Sequence, residues 1–268
     1  MRNIYKTFSL FFILISVFSS CSKKGCTDPM SLAYDVEASK DDGSCTYPEN
    51  VKKSLVLKVT ATWCPPCGDW GAEYVNNIYN DFSGNAEVIS VHDDSDFGVD
   101  IGYNLMSILN PTGVPSFYLG LDPMGNSGYG NVSDLISADL STTNQASMAV
   151  EHSILDGNML IRVQSQLENQ FSGDNCYLAL YIMEDGQVAP QQVSGVGEVV
   201  DYVHNHTLRT EANGSTFGMP ITFEDGKNLT EVTAALVPDP IWNHGNLYVV
   251  AVIWQQNGST YDFINLAR

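Results

Sequence analysis

Residues 54–82, SLVLKVTATWCPPCGDWGAEYVNNIYNDF, carry two periods back to back. Residues 54–60 are a short β-branched, apolar run of the kind that fills a buried central strand. Beyond Trp63, the residues Trp70, Tyr74, Ile78 and Phe82, with Val75 and Tyr79 beside them, recur at helical spacing. Pro65 and Pro66 suit a first helical turn, where a missing N–H costs little. The spacing therefore predicts Cys64 at a helix N-terminus and Cys67 one turn inside. There the partial positive charge of the helix end favours a thiolate at Cys64, which attacks a disulfide, and Cys67 then resolves the mixed disulfide. The residues leave two other readings open: a structural Cys64–Cys67 staple, and half of a zinc site. Zinc would need a second pair of ligands, and the nearest remaining thiol is Cys176, in the other half of the chain.

Working outward, Ala86–His92 reads as the next parallel strand and Val99–Leu109 as a helix. Asn110-Pro-Thr-Gly-Val-Pro-Ser-Phe-Tyr-Leu119 reads as a turn feeding a strand. WCPPC after a strand, then Gly-Val-Pro before another strand about fifty residues on, resembles the thioredoxin superfamily. The resemblance implies a cis Pro115 against the sulfurs, Val114 offering backbone groups to a substrate chain, and Trp63 shielding the site. The alternative is that Pro111 and Pro115 are plain turn residues. Lys58 stands where thioredoxin has a buried acid. Pointing inward it would favour a thiolate at Cys67, and pointing outward it is a solvated lysine. No Lys or Arg occurs between Lys58 and Arg162, so the surroundings of Cys64 are neutral to acidic.

At the N-terminus, Arg2 and Lys6 precede the apolar run Leu10–Phe18 and then Cys21. That order resembles a bacterial lipoprotein signal over residues 1–20, with Cys21 the lipidated residue and the membrane reached through an anchor. The segment 21–50 is expected to be a tether with its own clip. Cys26 and Cys45 bracket 18 residues and in an oxidising compartment predict a disulfide. This segment resembles the CTDP…DDGSC module of Bacteroidetes surface proteins. Asp28, Asp35, Asp41 and Asp42 are either a calcium cluster or turn formers. With 12 Lys and Arg against 31 Asp and Glu, the formal charge is −19, which excludes a nucleic-acid backbone as partner.

From Ala146 the pattern changes to alternating strands bounded by Asp-Gly and Asn-Gly turns: 148–155, 159–167, 176–183, 247–254 and 260–267. Cys176 is in phase with Leu178, Leu180 and Ile182, which favours a small buried hydrophobe over a reactive thiol. In Tyr202-Val-His-Asn-His-Thr-Leu-Arg209, His204 and His206 would share one strand face, as metal ligands or as hydrogen-bonding groups at a domain junction. This stretch, after a thioredoxin-like half, resembles the Omp28-related outer-membrane lipoproteins of Bacteroidetes. The expected organisation is a thioredoxin-like α/β domain over 51–142 and an all-β immunoglobulin-like sandwich over 143–268. The expected function is an extracytoplasmic, lipid-anchored thiol–disulfide oxidoreductase with Cys64 and Cys67 catalytic. Its partners would be the thiols and disulfides of exported proteins, and no cofactor is called for. The alternative is a surface binding protein on a catalytically silent scaffold.

Overall fold

The computed structural model describes residues 22–125, 127–237 and 241–268, so the expected signal segment 1–20 and Cys21 lie outside the described residues. The chain is β-rich, with one large mixed sheet and few helices. In order, the elements are β1 (Ser54–Thr60), α1 (Pro65–Gly68), α2 (Trp70–Asp81), β2 (Ala86–His92), α3 (Asp100–Leu109), β3 (Ser116–Leu119), β4 (Asp122–Pro123) and α4 (Tyr129–Leu140). There follow β5 (Ala146–Leu155), β6 (Asn158–Leu167), β7 (Cys176–Glu184), β8 (Gln187–Val193), β9 (Gly197–His204) and β10 (Thr207–Glu211). The last are β11 (Met219–Pro220), β12 (Lys227–Ala235), β13 (Leu247–Asn257) and β14 (Thr260–Ala267).

Strand β1 pairs in parallel with β2 and antiparallel with β3. Every residue of β1 and β2 is buried, as continuous apolar runs covered on both faces require. Helices α2 and α4 cover one face through Val75, Ile78, Val132 and Ile136. Helix α3 covers the other through Ile101, Leu105 and Leu109.

The sheet does not stop at the expected boundary between 142 and 143. Its order is β14-β13-β7-β10-β2-β1-β3-β4, with Thr207 of β10 opposite Ser90 of β2. The Ser90 N–H donates to His206 O at 2.7 Å, so the C-terminal half joins the β2 edge at Ser90. One apolar core runs under both halves, joining Leu57 and Ile89 to Tyr181, Val252 and Trp254. The buried Asn265 amide donates to Val51 O at 2.9 Å and Ala146 O at 2.6 Å, tying the two halves where they meet in sequence.

On its far side the C-terminal half packs a second, three-stranded sheet, β12-β6-β5, over β7 and β13. Met159, Ile161 and Val163 meet Leu178, Leu180, Ile182 and Val249 there, and Cys176 is a buried member of that core. Burial pushes the Cys176 thiol up to about 11, as suits an inert apolar side chain.

The clip segment is no free tether. Cys26 and Cys45 form a disulfide, and the module lies against the outer sheet, with Arg162 donating to Leu32 O at 3.0 Å and Gln164 to Met30 O at 2.6 Å.

Candidate functional site

Strand β1 ends by delivering Ala61, Thr62 and Trp63 to the top of the sheet. Asp94 fixes this turn: its carboxylate accepts from the N–H groups of Thr62 (2.9 Å), Asp96 (3.0 Å) and Phe97 (2.8 Å), and from His92 Nδ1 at 2.9 Å. Burial opposes its charge, but the His92 bond and the backbone donors outweigh it and hold the carboxyl at about 2. An acceptor-only Asp94 places the His92 proton on Nδ1, and burial keeps that ring neutral.

Cys64 caps α1, and its Sγ accepts from Cys67 N–H at 3.2 Å. The two cysteines are joined as a disulfide. The predicted long helix from Pro65 is broken in two. Asp69 leaves helical geometry at φ −102°, ψ −111°, and α2 restarts at Trp70. Next to the break the C-terminal half comes close to the backbone: a Cβ on Gly68 would stand 2.6 Å from Gln192 O, so only glycine fits there. Only four residues therefore contribute to the helix end behind Cys64, a weaker field than an unbroken helix gives.

The Val114–Pro115 peptide is cis, and Val114 O lies 3.4 Å from Cys64 Sγ. Pro115 packs on Gly71, where a Cβ would come within 2.9 Å of the proline ring. Trp63 stands at the same turn. It is 57% exposed, with its indole N–H on Asp93 O at 3.0 Å.

Sequence reasoning missed the cover on this site. Strands β8 and β9 form a separate hairpin that crosses the CPPC loop. Gln192 N–H donates to Thr62 O at 2.8 Å and Ser194 N–H to Pro65 O at 3.1 Å. The buried Gln191 amide reaches Cys64 O at 3.0 Å and Ala61 O at 3.3 Å. Under this strap Cys64 and Cys67 are each only 2% exposed. The available signal was Pro190, which removes a ladder donor between two short strands and sits where the register slips.

Lys58 points inward. It is 7% exposed and lines a cavity of about 180 Å³ together with Cys67, His92, Gln191, His204 and His206. Burial pushes its ammonium down to about 8.

His204 and His206 do not share a strand face. His204 ends β9 and packs at tilted and edge-on angles against Phe97, Tyr202 and His92. His206 lies beyond it at φ +58°, stacked on Tyr79, with Nδ1 3.1 Å from the Tyr79 hydroxyl. Burial lowers both imidazoles to about 4. Among the described residues no group of three His, Cys, Asp or Glu side chains is placed to hold a metal.

The four aspartates of the clip segment are likewise not gathered around a common point. Asp28 accepts from the Tyr47 hydroxyl and Met30 N–H, and Asp35 pairs with Lys23. Asp41 and Asp42 cap turns at Gly43 and Ser44. Each carboxylate accepts from a backbone N–H two residues on, as turn formers do, and Asp28 also pairs with Lys227 at 3.7 Å.

A β-rich chain with a clipped N-terminal module and a strapped CPPC disulfide defines the class. A family model described as outer membrane protein Omp28 matches residues 104–267, and the chain belongs to that family. Its place is accordingly the outer membrane of the cell envelope. Among solved structures it is similar to HBP35 of Porphyromonas gingivalis, at 17% identity and a TM-score of 0.67 over 82% of this chain and 75% of that one. It is also similar to a domain of the outer membrane lipoprotein Omp28 from the same organism, at 14% identity and a TM-score of 0.33 over 47% of this chain and 86% of that one. No curated protein matches it.

Proposed function

We propose that the chain is an extracytoplasmic thiol–disulfide oxidoreductase, anchored by lipid at Cys21 and acting on exported proteins. In this reading residues 51–142 are a thioredoxin-like unit and 143–268 an immunoglobulin-like sandwich grafted onto its sheet. The observation that carries it is the Cys64–Cys67 disulfide at the end of β1 with Val114 O 3.4 Å from Cys64 Sγ. A carbonyl and a cis proline beside the outer sulfur form a backbone platform on which an extended substrate chain would lie. In the reduced protein, the Cys64 thiolate attacks a substrate disulfide, and Cys67 then attacks Cys64 Sγ and releases the substrate thiol.

The 2% exposure of Cys64 favours a second reading, a binding protein whose disulfide is silent. The reduction potential of the pair, from alkylation trapping in glutathione buffers with the peptide holding residues 64–67 quantified, separates the two. A value between about −120 and −270 mV supports exchange, and one below about −300 mV marks a staple and puts the binding reading first.

A further inference from the structure

Position 58 lies mid-way along a strand buried on both faces, where a charged side chain needs a counterion or a special use. Among the described residues Lys58 has no ion-pair partner. Among the described residues no carboxylate lines its cavity, and no hydrogen bond or ion pair reaches its ammonium group. The groups facing it from every side are neutral or cationic. Cys67 comes from α1 and Asn76 from α2, Ser90 and His92 from β2, and Tyr202, His204 and His206 from β9 and the turn beyond it. Asp94 lies behind His92, committed to that ring and three backbone N–H groups. Asp185 faces His206 from outside the cavity at 3.5 Å, and Arg209 is paired with Glu184 at 3.1 Å. Cys67, 2% exposed under the hairpin, has little bulk water to take its proton.

We propose that Lys58 is the proton acceptor for Cys67, an inference that rests on the redox reading above. Once Cys64 is joined to substrate in a mixed disulfide, the Cys67 thiol gives its proton to the neutral Lys58 amine. The resulting thiolate attacks Cys64 Sγ, the Cys64–substrate S–S bond breaks and the Cys64–Cys67 bond forms. The substrate leaves as a thiolate, two electrons richer, and the Lys58 ammonium gives its proton back through the open side of the cavity. The cationic Lys58 also becomes the missing counterion for the Cys67 thiolate. Burial of the amine suits the role, because it brings its titration towards neutral pH.

The test is the ionisation of Cys67 itself, read as thiolate absorbance near 240 nm in a Cys64→Ser background, with Cys64→Ser/Cys67→Ser subtracted. Lys58→Met and Lys58→Gln should each raise the Cys67 inflection by about one pH unit, a tenfold loss of thiolate on its rising limb. Superimposable profiles with and without Lys58 overturn the proposal. Should both variants fail to fold, carbon-13 NMR of lysine side chains in the unmodified chain serves instead. The Lys58 midpoint should rise when the disulfide is reduced, and an unchanged midpoint overturns the proposal equally. Failure of the redox reading itself would show elsewhere, in the reduction potential of the wild-type pair.

Discussion

The two disulfides of this chain sit in opposite settings. Cys26–Cys45 closes a long loop in a polar module that has little core of its own. Cys64–Cys67 closes a two-residue loop, with both cysteines packed against Ala61 and Val114. Constraint of the unfolded chain grows with loop length, so the first bridge supplies stability and the second supplies very little. What surrounds the second is chemistry: a carbonyl at the outer sulfur, a buried lysine lining the same cavity as the inner cysteine, and a strap across both.

The contrast breaks most sharply on the thiols. Cys64→Ser should abolish all disulfide exchange with a model protein substrate, whereas Cys26→Ser/Cys45→Ser should leave the rate unchanged. Exchange retained in Cys64→Ser would mean that the Cys64–Cys67 pair is not the redox centre.

Acid should separate the two settings next. His204 and His206 titrate at about 4 in the fold, below their ordinary 6.5, so the unfolded chain binds more protons between those values. Stability is therefore complete above about pH 6.5 and falls as pH drops towards 4, by on the order of 3 kcal/mol per histidine. Asp28 of the clip module is shifted the other way: its carboxyl is held below its ordinary 3.8, chiefly by the Tyr47 hydroxyl. Its contribution is present above 3.8 and is lost only as pH falls through the lowered value. Thermal melts from pH 7 to 4 should show the body loosening, and limited proteolysis should show the clip intact. A flat melting temperature over that range would contradict the burial of both rings.

Removing the clip by Cys26→Ser/Cys45→Ser should cost about 3 kcal/mol locally, visible as cleavage within residues 22–50 by a protease that spares the parent chain. The smallest effect is expected at the strap. Gln191→Ala removes the bonds to Ala61 O and Cys64 O, at about 1–3 kcal/mol. It should speed reduction of Cys64–Cys67 by a bulky phosphine and leave Cys26–Cys45 unaffected.

What was legible in the sequence was local. The β-branched run, the helical stripe from Trp70 and the Gly-Val-Pro turn each carry their own period or backbone constraint, and Cys64, Cys67, Val114 and Pro115 lie together in space. Lys58 was ambiguous for a physical reason. A strand buried on both faces has no polar side, so its pattern cannot say which way one lysine points. The strap and the Thr207–Ser90 pairing were not legible, because each joins segments more than a hundred residues apart. His204 and His206 looked like a pair only under the assumption that the strand continued. The turn at Asn205 sends them into different packings.

The pairing of β10 with β2 has a consequence for the order in which the molecule can be assembled. A chain emerging from its N-terminus carries β2 as an unprotected edge, with every side chain meant for burial, until Thr207 arrives to close it. Such an edge invites pairing with another chain, and a fragment ending near residue 142 would keep it permanently. The C-terminal half thus supplies the strand that meets the edge of the half that holds the sulfurs.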